Sequence, residues 1–260
     1  MNDQHGPFSL KGRRAVITGG SRGIGGAVTL LLARAGADTC IGYHSRAKDA
    51  EVLSAECRNL GTNSTRHASD VSTPAGAKSL IAHAVQTLGG LDICVHSAGV
   101  WPVEEVPVSL MNDERWANTM RQNIDAMFFV AREAALAMEK NERGGRIVLV
   151  ASTAGQRGEA MHADYGASKG AMIAFVKSMA VELAPKGITV NSIAPGWVDT
   201  EMCAEPFANG GKERIAKGIP VGRIASADDI AFPIVSLCFD GARHITGEIL
   251  NVNGGSVLCG

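Results

Sequence analysis

Apolar residues along the chain fall into two kinds of run. Short, nearly continuous ones are bounded by turn residues: RAVIT (14–18), DTCIGY (38–43), LDICVHS (91–97), GRIVLVAS (145–152), ITVNSIA (188–194) and GEILNV (247–252), with the more polar STRHAS (64–69) a weaker strand between the second and third of these. Between them lie longer stretches with helical spacing: IGGAVTLLLARAG after the first run, then Ala47 to Asn59, Pro74 to Leu88, and stretches over 112–140 and 162–184. Short runs apolar on both sides suit strands covered on both faces, and the amphipathic stretches supply the cover. Sustained alternation predicts an α/β fold: a Rossmann-type, doubly wound parallel sheet of about seven strands with helices on both faces. No linker or shift in composition divides the chain, so residues 1–260 read as a single domain. The rhythm breaks over about 200–222, where Gly210-Gly211 interrupts it; that segment is a candidate covering loop, with a helical decoration of the surface as the alternative.

Composition narrows the class. Hydrophobic residues make up 45% and charged residues 20%, as in globular proteins, and the net charge of −1 gives no field for nucleic acid or an anionic membrane. The cysteines at 40, 57, 94, 203, 238 and 259 have no paired spacing, so neither a metal cluster nor a disulfide framework is expected. MNDQHGPFSLKGRR lacks the apolar core of a signal peptide, and no run approaches the ~20 residues of a membrane span. A reduced, cytoplasmic protein is expected.

Two places carry candidate chemistry. In VITGGSRGIGGAV, a strand turns through Gly19, Gly23 and Gly25 into a helix. Glycines let a pyrophosphate approach backbone N–H groups at a helix N-terminus. In HADYGASK, Tyr165 and Lys169 stand four apart, on one helical face. With an ordinary pKa of ~10, tyrosine is a proton donor at neutral pH; bringing it near 7 needs about 4 kcal/mol. A lysine cation ~4 Å away supplies about that much at an effective dielectric of ~20.

These motifs, in this order, resemble the short-chain dehydrogenase/reductase family. Thr18 to Gly25 matches its Thr-Gly-x-x-x-Gly-x-Gly turn, Tyr165-x-x-x-Lys169 its active-site motif, and Ser152, thirteen residues before the tyrosine, its serine. Asn123 in RQNIDAMF, Asp70-Val71, VNSIAPGWVDT (190–200) and ITGEILNVNGG (245–255) complete a resemblance over nearly the whole length. It implies hydride transfer between a nicotinamide cofactor and a carbonyl or secondary alcohol. Asn123, Ser152, Tyr165 and Lys169 would be catalytic: Tyr165 moves the proton, Lys169 holds the nicotinamide ribose, Ser152 orients the substrate oxygen and Asn123 anchors a relay water. The cofactor would lie against Gly19, Ser21, Arg22, Gly23, Ile24, Gly25, Tyr43, Ser45, Arg46, Asp70, Val71, Ala98, Gly99, Tyr165, Lys169, Pro195, Gly196, Val198 and Thr200. No metal is implied.

Tyr43 stands where a member preferring NAD(H) would carry an aspartate, and Arg22 and Arg46 can pair with a 2′-phosphate, so NADP(H) is expected, with NAD(H) the alternative. HSAG (96–99) departs from the family's Asn-Asn-Ala-Gly, and Ser97 is expected to make one shorter hydrogen bond there. Trp101, Gln156, Met161 and Trp197 are candidates to line the cleft, and His162 to line it or face solvent. A 3-oxoacyl thioester is one candidate substrate, because members that reduce it on a carrier protein carry basic residues matching Arg143 and Lys186; ordinary surface cations explain these two equally well. Sugar, steroid and xenobiotic ketones stay open, and so does a nucleotide-sensing protein without catalysis. The family also implies a homotetramer pairing the helices around 112–140 and 162–184.

Overall fold

In the computed structural model, which describes residues 6–141 and 143–258, seven strands form one parallel sheet. They are β1 (Arg14–Thr18), β2 (Asp38–Tyr43), β3 (Ser64–Ala68), β4 (Ile93–His96), β5 (Gly145–Val150), β6 (Ile188–Pro195) and β7 (Ile249–Val252), in the spatial order β3-β2-β1-β4-β5-β6-β7. Residues 1–5 of the leading segment and Cys259 lie outside the described residues. The order reverses between β1 and β4, and a parallel sheet opens a crevice beyond its carboxyl ends at such a point. Central strands are buried along their whole length, six of six residues in β5 and eight of eight in β6, which is why their sequences read as continuous apolar runs.

Alternate residues feed two cores. Val16, Cys94, Ile147 and Leu149 meet α3 (Pro74–Leu88), α5 (Ala126–Met138) and α7 (Ala163–Leu183) on one face. Ala15, Ile17, Ile93, Val95 and Val148 meet α1 (Gly23–Arg34) and α10 (Ala227–Ser236) on the other. The remaining helices are α2 (Ala47–Asn59), α4 (Asp113–Met120), α6 (Ala154–Arg157), α8 (Ala204–Phe207) and α9 (Gly211–Ala216). Local chemistry sets their limits. Thr73 Oγ1 accepts from Gly76 N–H at the start of α3, Pro74 takes the first helical position, and Gly89 ends it with φ +80°.

Three features differ from the periodicity. The 112–140 stretch is not one α-helix: a π-turn over Arg121–Asp125 separates α4 from α5. The 200–222 segment folds as the short 3-10 turn Glu201–Cys203 followed by α8 and α9, with Gly210 at φ +78° between them. Helix α10 has no counterpart among the expected elements; Pro233 inside it removes a backbone donor, while Ser226 and Asp229 form a capping box at its start. Among the described residues, no helix is long and apolar enough to cross a membrane, and no cluster of His, Cys, Asp and Glu could hold a metal.

Candidate active site

At the carboxyl ends of β1, β4, β5 and β6 the chain encloses a cleft of about 270 Å³. Ser97, Gly99, Ser152, Tyr165 and Lys169 line it, together with Ile24 from the glycine turn and Pro195, Gly196, Val198 and Thr200 after β6. Residues that are far apart in sequence therefore converge because strands 1, 4, 5 and 6 all end there.

The glycine turn is built for a ligand's backbone approach. Gly19 and Gly23 have φ of +61° and +53°, and a Cβ on Gly25 would lie 2.2 Å from Gly19 O. No side chain caps the start of α1, so its first N–H groups face the turn. Thr29 Oγ1, fully buried, donates to Gly20 O (3.0 Å) or Gly25 O (2.9 Å) and ties the turn to the helix. These features fit a dinucleotide pyrophosphate. Nearby, Asp70 is held at the β3–α3 turn by the amide and hydroxyl of Ser72 at 3.0 and 2.7 Å, and these bonds keep its carboxyl below the usual range. Val71 packs partly against the core, and Tyr43, Ser45 and Arg46 follow the end of β2. Arg22 and Arg46, from different elements, both donate to Glu201 Oε2, the latter at 2.6 Å.

On the other side of the cleft, Lys169 is buried and its Nζ donates to Val150 O at 2.8 Å. Burial brings the amine down to about 8. The Tyr165 phenol moves the opposite way: burial pushes it well up, the Ser152 hydroxyl works against this, and the Glu159 carboxylate adds to it. The depressed tyrosine pKa expected from the lysine is thus not found. Lys169 Nζ lies 5.7 Å from the centroid of the Tyr165 ring, and loss of water outweighs its influence. Ser152 Oγ also accepts from Ala154 N–H at 3.1 Å, at the head of α6.

Asn123 sits in the π-turn with its side chain fully engaged. Its Oδ1 accepts from Val100 N–H (2.8 Å), and its Nδ2 donates to Val100 O and Ser168 Oγ (3.0 Å each). Ser168 Oγ in turn donates to Tyr165 O at 2.8 Å. The side chain fixes the β4 loop to α7 and leaves neither N–H for a water. The start of α7 is held as firmly: buried Asp164 accepts from Arg115 Nε (3.1 Å) and Thr119 Oγ1 (2.8 Å). Burial opposes the Asp164 charge, but these donors prevail and its carboxyl lies below its ordinary value.

Other expected residues fall differently. Trp101 and Trp197 line the cleft, packed edge to face with centroids 5.8 Å apart, whereas Gln156 binds Asn251 Oδ1 at 2.6 Å and Met161 is not a lining residue. His162 faces neither cleft nor solvent; it is buried, stacked on Trp101 at 5.0 Å. Ser97 Oγ has no hydrogen-bond partner among the described residues; Thr18 Oγ1 makes the tie instead, accepting from the N–H groups of Ser97 and Ala98 at 3.2 Å each. Lys186 binds Glu139 Oε1 at 2.6 Å, and Arg143 reaches Gly12 O at 3.3 Å. Both precede their strands, at the end of the sheet remote from the cleft of their own chain.

Several site residues escaped the motifs. Thr29 is detectable as a lone hydroxyl on the apolar face of α1. Glu159 lines the cleft and accepts from Trp101 Nε1 at 3.2 Å; burial holds its carboxyl above the ordinary value. Met202 and Cys203 line the cleft from the Glu201–Cys203 turn. Nothing in the local sequence marks these three.

Comparison with known proteins follows the same outline. A family model described as enoyl-(acyl carrier protein) reductase matches residues 19–256. The 3-oxoacyl-(acyl-carrier-protein) reductase FabG of Escherichia coli is 35% identical over 251 residues, 96% of this chain and 100% of that protein. Among solved structures, a short-chain type dehydrogenase/reductase from Mycobacterium marinum superposes with a TM-score of 0.90 at 30% identity, covering 97% of this chain and 98% of that one. A short-chain dehydrogenase/reductase described as glucose/ribitol dehydrogenase, from Brucella melitensis, gives 0.88 at 32% identity, covering 98% and 100%.

Proposed function

This chain belongs to the short-chain dehydrogenase/reductase family of oxidoreductases, and from that premise we propose that it transfers a hydride between NADP(H) and a carbonyl or secondary alcohol substrate. The observation that carries the reading is the convergence of Ser152, Tyr165 and Lys169 on one cleft beside the glycine turn. When bound, the nicotinamide supplies or accepts the hydride. Tyr165 then gives its phenolic proton to the carbonyl oxygen, and its raised pKa keeps that proton in place across the neutral range. Ser152 Oγ orients the same oxygen. The Lys169 cation steadies the negative charge left on the tyrosine and reaches for the ribose. Asn123 holds α7 and the β4 loop in register, so that these groups keep their spacing.

Two arginines that can reach one oxyanion favour NADP(H) over NAD(H). Arg22 and Arg46 meet at a single carboxylate oxygen, and no acid stands at Tyr43 to repel a 2′-phosphate. For the substrate, a 3-oxoacyl thioester is the first candidate, supported by similarity to the Escherichia coli reductase and by a cleft walled with Trp101 and Trp197. We read the chain as a single cytoplasmic domain acting in a homotetramer; Phe128 and Leu136 of α5, 41% and 51% exposed, supply apolar surface for helix pairing.

NADPH and NADH oxidation against acyl thioester, steroid, sugar and diketone substrates tests both parts. The reading expects a higher kcat/KM with NADPH, turnover of the thioester, and loss of activity in Tyr165→Phe. A clear preference for NADH, or turnover surviving in Tyr165→Phe, would overturn it.

A further inference from the structure

Glu201 opens the segment that follows the β6 loop, next to Thr200, and its side chain is 58% exposed. That segment crosses the glycine turn: a Cβ on Gly23 would stand 3.5 Å from Thr200 Cγ2. From there Glu201 reaches across and takes both cations of the cofactor's adenosine end in one carboxylate oxygen, Arg22 Nη1 and Arg46 Nη2. Among the described residues, the other acid paired with either arginine is Asp49, 3.8 Å from Arg46 Nη1. Met202 and Cys203, the next two residues, line the substrate cleft. One oxygen thus joins the two arginines to the wall of the substrate site.

We propose that Glu201 is a specificity-determining residue, an internal stand-in for the 2′-phosphate that the cofactor must displace. This rests on the NADP(H) reading above. A carboxylate carries one negative charge and a phosphate monoester nearly two with three acceptor oxygens, so the phosphate wins the two guanidinium groups when it is present. A cofactor without the 2′-phosphate leaves the clasp closed. Binding of the phosphate therefore frees the first turn of the covering segment, and Met202 and Cys203 with it. The exchange also lowers the net gain from the 2′-phosphate, because an existing pair must part before the new one forms.

Titration calorimetry of the cofactor-free protein with adenosine 2′,5′-bisphosphate and with 5′-AMP isolates the effect, since the two ligands differ only in the 2′-phosphate. In Glu201→Gln the bisphosphate is expected to bind about fivefold tighter, the size of one exposed ion pair, with 5′-AMP unchanged. Glu205→Gln, four residues on, should change neither, and thermal melting confirms that each variant is folded. Equal tightening of both ligands would mean general repulsion of phosphates and overturn the proposal. So would unchanged or weaker bisphosphate binding in Glu201→Gln while the parent still favours the bisphosphate. If neither protein distinguishes the two ligands, the NADP(H) reading fails, and the stand-in with it.

Discussion

Thr18 Oγ1 and His96 Nδ1 stand 2.9 Å apart, and the proton between them belongs to the threonine. The Thr18 oxygen already accepts from two amides, Ser97 N–H and Ala98 N–H, so its remaining role toward His96 is to donate. His96 Nδ1 is therefore an acceptor and its Nε2 carries the hydrogen. That Nε2 is buried without a protein partner, on the strand face turned to Asn123 and Lys169. The imidazole is locked neutral: burial first, and then the Lys169 cation, bring its pKa from 6.5 to about 3.

His96 makes the fold acid-sensitive in a defined window. Its folded pKa lies below the unfolded one, so between about 3 and 6.5 the unfolded chain holds more protons and stability falls as pH falls. The loss between pH 7 and pH 5 is expected to be about 2 kcal/mol, on top of any carboxylate contribution. Urea unfolding at the two pH values should show that increment in the parent and not in His96→Asn. Equal pH dependence in both would refute it.

Lys169 sets the alkaline limit of reduction. Its cation is present at pH 7 and is lost as pH rises through about 8, while Tyr165 remains protonated. The quantity kcat/KM reports groups of the free enzyme, so it should fall about tenfold per unit above pH 8. In Lys169→Arg, whose charge persists past pH ~12, that limb should disappear from the profile even if the plateau is lower.

The glycines of the turn are not equivalent. A Cβ at Gly25 meets the backbone oxygen of Gly19 at 2.2 Å, whereas at Gly26 the nearest atom is Ser21 C at 3.4 Å. Gly25→Ala must open the turn, and binding of adenosine 2′,5′-bisphosphate should be lost. Gly26→Ala sits inside α1 and should bind normally while raising stability by about 0.5–1 kcal/mol. Equal behaviour of the two variants would contradict this geometry.

Thr29 supports the same turn from behind. Thr29→Val leaves the carbonyls of Gly20 and Gly25 without their hydroxyl donor and should cost about 1–2 kcal/mol in thermal or urea unfolding. Thr29→Ser should recover most of it. If valine and serine behave alike, packing of the methyl group and not the hydroxyl holds the turn.

Periodicity located the central strands because buried parallel strands must be apolar on both faces, whereas the partly exposed edge strand β3, STRHA, carries only a weak signal within the alternation; β2 and the bounds of α3 were legible to the residue. Motif spacing placed Ser152, Tyr165, Lys169 and the glycine turn around one cleft. What periodicity missed depends on contacts distant in sequence. Glu201 and Arg46 are 155 positions apart, and no local pattern records their pairing. The direction of the Tyr165 shift depends on how much water the cleft walls remove, which spacing does not encode. The place of His162 before Tyr165 suggests that it lines the cleft or faces solvent, but Trp101, from another strand's loop, stacks on it and it is buried.

The π-turn at Arg121–Asp125 makes the count of residues itself a determinant of the molecule's outer shape. One residue of an α-helix corresponds to about 100° of rotation. Winding the same five residues as α-helix, with none removed, would let α4 run smoothly into α5, but would swing every later side chain of α5 by about that angle. Phe128 and Leu136 would turn away from their present outward bearing, and Val130 and Ala134, now buried against α3 and α7, would rotate out of the core. The wide turn thus acts as a phase adjuster. It lets one continuous rod present Asn123 inward at one level and its apolar stripe outward at the next.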